Sequence, residues 1–152
     1  MRLLLRFAAC LPLVLAGPAL GQDPAAEAPE TADQAAGKII LQLNKLELGE
    51  NACNAYMVVD NQSSEPLKEL KIDIYLFDKQ GIVLEGVALQ FTEVRAEGEM
   101  VVPFELPAVA CDEIGRVLLN KVLVCTDASG AAVDGCADLL VASSLTDAPF
   151  EN

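Results

Sequence analysis

From Lys38 onward, apolar and polar residues alternate with a period of two, the signature of half-buried strands rather than helices. Residues 39–48 alternate loosely, with Leu41 and Leu43 followed by Leu46 and Leu48. Residues 52–60 place Cys53, Ala55, Met57 and Val59 on one face and Asn54, Tyr56 and Val58 on the other. The cleanest alternation spans 67–77, where Leu70, Ile72, Ile74 and Leu76 oppose Lys71, Asp73, Tyr75 and Phe77. Residues 82–91, 100–106, 116–126 and 139–144 complete a set of about seven strands. Helix is scarce, with 108–114 the one stretch suited to a helical turn.

Turn chemistry punctuates these runs. Asn61-Gln62-Ser63-Ser64-Glu65-Pro66 offers side chains that bond backbone locally, then a proline. Asp78-Lys79-Gln80-Gly81 predicts a hairpin in which Gly81 takes positive φ. Gly86 inside a strand predicts a bulge, and Pro103, lacking a backbone donor, predicts an edge strand. Turns every 8–12 residues are the spacing of an immunoglobulin-like antiparallel β-sandwich, here expected over residues 38–145, with 146–152 a polar, loose tail.

The centre of this scheme is residues 111–125, CDEIGRVLLNKVLVC, a turn and a strand bounded by cysteines. Beyond the first residues of the chain there are four cysteines: Cys53, Cys111, Cys125 and Cys136. In an oxidising compartment an even count reads as two disulfides with three possible connectivities. Cys125 and Cys136 flank a glycine-containing turn, which favours a local bridge and leaves Cys53 to close with Cys111.

The N-terminus supplies the compartment. Arg2 and Arg6 precede and enter an apolar run to Leu15, and small residues at Ala19 and Gly21 follow a helix-breaking stretch. This is the pattern of a secretory signal peptide over 1–21, cleaved between Gly21 and Gln22, and it is too short and broken for a membrane span. Cys10 has almost no apolar region before it, which disfavours lipidation there, and Arg2 and Arg6 are not adjacent as a twin-arginine signal requires. Residues 22–37, QDPAAEAPETADQAAG, read as a flexible linker of alanine, proline and acid. The expected destination is the periplasm or the exterior, with no membrane span in the mature chain.

Charge and composition narrow the chemistry. The formal net charge is −13, and removal of residues 1–21, with two arginines and no acid, takes it to −15. A field of that sign repels nucleic acid and anionic lipid and suits a basic protein partner, here an envelope protein whose identity charge cannot name. Histidine is absent, which removes the commonest general base and metal ligand, and tryptophan is absent too. No two cysteines stand two residues apart, and Asp127, Asp134 and Asp138 do not match a calcium-loop spacing. No cofactor or metal is expected. The polar set Asp112, Glu113, Arg116 and Asn120 is the candidate recognition patch; in its purely structural alternative, Arg116 pairs with Asp112 or Glu113 and pins the loop.

Three motifs carry a resemblance: NACNAYMVVDN at 51–61, YLFDKQGIV at 75–83 and the cysteine-bounded run at 111–125. Together they resemble a family of uncharacterised exported bacterial proteins labelled Tat pathway signal sequence domain proteins, a label that implies no activity. Asn61 and the run 75–81 are also similar to FxLYD-type immunoglobulin-like envelope domains, which implies a sandwich with a binding or accessory role. The expected function is therefore a non-enzymatic, disulfide-stabilised periplasmic interaction or accessory module. The alternatives are a thiol-redox or metal-handling protein, and a small-ligand binder or carboxylate-based hydrolase.

Overall fold

The computed structural model describes residues 37–50 and 52–152. The leader expected over 1–21 and nearly all of the 22–37 linker lie outside the described residues. Eight strands follow in order: β1 (Ile39–Leu48), β2 (Ala52–Asn61), β3 (Leu67–Asp78), β4 (Val83–Val94), β5 (Gly98–Pro107), β6 (Ile114–Asp127), β7 (Leu140–Ser144) and β8 (Phe150–Glu151). They form two four-stranded sheets, β5-β2-β1-β7 and β4-β3-β6-β8. The chain is an all-β sandwich stabilised by two disulfides.

The period-two alternation decides which side chains meet. Leu41, Met57 and Val59 on the first sheet face Leu70, Ile72, Ile74 and Leu76 of β3, all buried in one core with Phe91 and Leu106. Each such burial contributes about 1.5–3 kcal/mol against exposure. At the crossing from β2 to β3, the buried Asn61 holds the corner. Its Oδ1 accepts from the Ser63 N–H (3.0 Å) and hydroxyl (2.7 Å), and its Nδ2 donates to the Glu65 carbonyl (2.9 Å). A buried amide with its partners in place costs little; without them it would cost several-fold more.

The Asp78–Gly81 hairpin forms as the sequence predicts. Asp78 Oδ1 accepts from the Gln80 and Ile82 N–H groups at 2.9 and 2.7 Å, and Gly81 takes φ 83°. Pro103 lies in β5, an edge strand, also as expected.

Five expectations are corrected. The sandwich is not antiparallel throughout, because β7 runs parallel to β1 and β8 parallel to β6. After β6 the chain crosses to the first sheet and then back, so each short strand arrives alongside rather than hairpinned to its neighbour. The tail 146–152 is not loose: Ala148 and Phe150 are buried, and the Val117 N–H donates to the Pro149 carbonyl at 2.8 Å. The domain thus extends through β8. The helical turn expected at 108–114 shrinks to a 3-10 turn at Cys111–Glu113, while a short helix, α1 (Cys136–Leu139), appears where none was expected. Gly86 is not a bulge but sits opposite Tyr75, whose ring would lie 3.1 Å from an added Cβ; the register slips at Leu84 instead. Finally, β6 begins at Ile114 rather than Arg116, with Gly115 packed so closely on Asp78 that a Cβ would meet its carbonyl oxygen at 2.5 Å.

The cysteines pair Cys53–Cys111 and Cys125–Cys136, with Cα separations of 5.0 and 6.4 Å. The first ties β2 to the turn before β6, and the second ties β6 to α1. They close sequence separations of 58 and 11 residues. Loop-closure entropy then makes the long bridge worth about 1.5 kcal/mol more than the short one. Urea unfolding of the two double-alanine variants checks this: C53A/C111A should lose more stability than C125A/C136A, and the reverse order would refute the entropic account.

Asp127 ends β6 by capping its own turn. Its Oδ1 accepts from the Ser129 hydroxyl (2.6 Å), the Ser129 N–H (2.8 Å) and the Ala131 N–H (3.0 Å). The Ser129 hydroxyl first, then the Ala131 N–H, hold its carboxyl below the ordinary carboxylate value. Its stabilisation is therefore complete above that ordinary value and lost as pH falls through the lowered one. In melting temperature measured against pH, Asp127→Asn should show a shallower acid decline than the parent, whereas parallel curves would remove Asp127 from that role.

Candidate functional site: the outer face of the first sheet

The four residues of the sequence-predicted patch do not form one cluster. Asp112 and Glu113 are exposed in the 3-10 turn and border an open cleft of about 250 Å³ with Asp78, Lys79, Gln80 and Leu84. Arg116 pairs with neither. Its guanidinium stacks 4.0 Å from the Phe77 ring centroid and lies 3.7 Å from the Glu151 carboxylate of β8, on the outer face of the second sheet. Half-exposed ion pairs of this kind contribute about 0–1 kcal/mol, so the stacking on Phe77 matters at least as much. Asn120 is the extra residue where β6 slips against β3, and its amide donates to Asp73 Oδ2 at 2.8 Å. Asn120 interrupts the apolar run in β6 because it is a bulge position, while its neighbour Lys121 stays paired with Asp73.

The four cysteines among the described residues are closed in pairs, and Asp127 is committed to its turn. Asp138 lies in α1, where its carbonyl accepts from Lys38 Nζ at 2.7 Å. Among the described residues, no three of His, Cys, Asp and Glu converge on a point that could hold a metal ion. An open groove of about 540 Å³ runs beside Cys111, where Lys45, Lys79, Asp112 and Asp147 put charges of both signs around Leu46, Ile114 and the exposed Leu145.

The register of β5-β2-β1-β7 sets out a different surface as a grid. In one row Val141 lies beside Ile40, Ile40 opposite Asp60, and Asp60 opposite Glu99. The next row is Ser143, Gln42, Val58 and Val101, and the third is Lys45, Tyr56 and Pro103. The last is Glu47, Asn54 and Glu105. These are the residues out of phase with the core, so their side chains form the outer face. An apolar diagonal runs Val141, Ile40, Val58, Val101 and on to Pro103 and Tyr56. Val101 is 59% exposed and Val141 40%, so the diagonal is open to solvent at both ends of the sheet.

Charge surrounds this diagonal unevenly. Asp60 and Glu99 are directly opposed across the β2–β5 pair, an arrangement that destabilises a sheet. Gln62 Nε2 donates to Asp60 Oδ2 at 2.7 Å and relieves part of that repulsion. At the far end, Lys45 Nζ bonds Glu47 Oε1 at 2.7 Å and lies 5.4 Å from the Tyr56 ring centroid, while the Tyr56 hydroxyl donates to Glu47 Oε2 at 3.0 Å. The Lys45 ammonium first, then the Tyr56 hydroxyl, hold Glu47 below the ordinary carboxylate value, and the same bond to Glu47 raises Tyr56. Tyr56 is thereby fixed as a flat platform beside Pro103. The sequence signal was present: Val58 and Val101 are large apolar residues at positions whose neighbours in phase, Tyr56, Asp60, Glu99 and Glu105, are polar.

No family model matches the chain, and no curated protein matches it. Among solved structures, the chain is similar to IrmA from Escherichia coli, with 18% sequence identity and a TM-score of 0.52. The likeness covers 69% of this chain and 90% of that one. At that identity it bears on the fold, and it agrees with a two-sheet all-β sandwich.

Proposed function

We propose that the chain is an exported, non-catalytic protein-interaction module that binds its partner through the outer face of β5-β2-β1-β7. The observation that carries this reading is an apolar diagonal whose two ends, Val141 and Val101, are open to solvent, while Val58 at its centre is covered. A water-facing sheet surface ordinarily alternates to polar residues, and a contiguous apolar strip rimmed by charge is the anatomy of a docking surface. The two disulfides fit an oxidising compartment, which agrees with a secreted or periplasmic setting. Among the described residues, no helix is long and apolar enough to cross a membrane.

The rim names the partner's chemistry. Asp60, Glu99 and Glu105 leave the face acidic around an apolar centre, and the chain carries a formal charge of −13. The complementary surface is an envelope protein patch with apolar side chains flanked by lysine or arginine. The directly opposed Asp60 and Glu99 fit this role, because a cation from the partner would remove a repulsion that the isolated sheet retains.

Site-specific photocrosslinking in the native host tests the reading. A photoreactive residue at Val101 or Val141 should give one discrete adduct, and the same residue at exposed Lys68 should not. Val101→Glu should abolish the Val141 adduct while leaving the circular dichroism spectrum unchanged. Absence of adducts at both valines, or equal adducts at Lys68, would remove the outer face from the function.

A further inference from the structure

The four edges of the two sheets are finished differently. β5 carries Pro103 in its middle, which has no N–H to offer a neighbouring strand. β7 is closed by the end of the described chain: Asn152 Nδ2 donates to the Leu140 carbonyl at 2.9 Å, and the Ala142 N–H donates to Asn152 Oδ1 at 2.7 Å. The side-chain amide stands where another strand's backbone would bond. β8 is two residues long. Proline, a capped edge and brevity are recognised protections against edge-to-edge pairing.

β4 is neither short nor interrupted by proline, and its one side-chain cap is a 3.2 Å bond from the Gly86 N–H to the neighbouring Glu85 carboxylate, which a pairing strand would displace. β4 runs for 12 residues, pairs on one side with β3, and contains no proline. Its pairing slips at Leu84 and its backbone turns to φ 55° at Glu93, so the regular part lies between. Within that part, residues 86–92 (Gly-Val-Ala-Leu-Gln-Phe-Thr) carry no charge. The Gly86 N–H is taken by the exposed Glu85 carboxylate at 3.2 Å, so this donor points to the open side. Backbone groups alternate along a strand, and Gly86, Ala88 and Gln90 therefore share that direction. Their side chains are small or polar and exposed on the outer face.

We propose that this edge pairs with itself in a second copy of the chain, antiparallel, about a two-fold axis at Ala88. Opposed residues of an antiparallel pair share a face, so a symmetric register centres on one residue. Centred on Leu89, the register would set Glu85 against Glu93 of the other copy twice. Centred on Ala88, it sets Ala88 against Ala88 and Gly86 against Gln90, while Glu85 meets Phe91 and Glu93 meets Val83. No carboxylate then opposes another, and on the order of six backbone hydrogen bonds form between the outward-facing groups. A foreign extended segment is the less fitting occupant. Such recognition takes its specificity from side-chain pockets along the edge, and the clefts touching β4 lie at its two ends, at Leu84 and at Glu93 and Val94. The formal charge of −13 on each copy opposes association, so screening by salt should strengthen it.

Sedimentation equilibrium of the purified protein tests this directly. The parent should show a concentration-dependent dimer that tightens from low to moderate salt. Ala88→Lys and Ala88→Glu place like charges face to face on the axis, and each alone should be monomeric with an unchanged circular dichroism spectrum. Mixed in equal amounts, they should restore a dimer, since lysine then faces glutamate. Ala88→Pro, which removes the donor at the axis, should be monomeric as well. A parent that stays monomeric at every concentration and salt overturns the proposal. So do single charge variants that keep the parental dimer, because the contact would then lie elsewhere.

Discussion

The pairing of β3 with β6 is the interaction on which the rest of the molecule depends. β3 supplies the second sheet's share of the core through Leu70, Ile72, Ile74 and Leu76, and β6 lies along its whole length. β6 is the longer strand and is not straight: its register slips at Leu123, Asn120 and Gly115. Each slip adds local twist, which lets a 14-residue strand follow the curved sheet without losing its partner. Both disulfides attach to this strand or the turn before it, one reaching β2 in the other sheet and one reaching α1. Anchoring at both ends makes the bulged strand the fixed frame, and β7 and β8 are positioned from it.

Much of this frame was legible in the sequence because its signals are local. Alternation over 67–77 gave β3 and its inward face, the Asp-Lys-Gln-Gly turn gave the hairpin, and a glycine-containing turn between Cys125 and Cys136 gave the short bridge and, by remainder, the long one. The misreadings are where a distant partner decides. Phe150 is one apolar residue in a polar tail, and only the gap beside Val117 makes it a strand. Parallel pairing of β7 with β1 leaves no mark on either strand, since the crossover that produces it is irregular. Gly86 resembled a bulge because a ring eleven residues earlier in the chain, Tyr75, was not in view as the reason for a missing side chain.

The candidate patch shows the same limit in sharper form. Asp112, Glu113 and Arg116 are close in sequence, which suggested a pairing, yet a strand start at Ile114 turns successive side chains to opposite faces. Arg116 consequently meets Phe77 and Glu151, one through β3 and one through β8, neither of which sequence distance could nominate. The outer face of the first sheet was half legible. Val58 was visibly out of phase with the core, but its alignment with Val101 and the nearness of Ile40 and Val141 depend on the register of four strands.

The proposed interaction face and the open β4 edge belong to different sheets, and this separates their costs. An apolar diagonal on the first sheet is tolerable because the core beneath it is complete, with Leu41, Met57 and Val59 facing inward. An open edge on the second sheet is tolerable because β4 is held along its other side by β3, whose own far side is covered by β6. Pairing through β4 would therefore leave the first sheet's outer face unobstructed in both copies. Two such faces on one rigid body raise the effective concentration of the second contact once the first has formed, without any new contact at the face itself. An acidic, open surface is the kind that would gain most from that doubling, since its individual affinity would be limited by area and by screening.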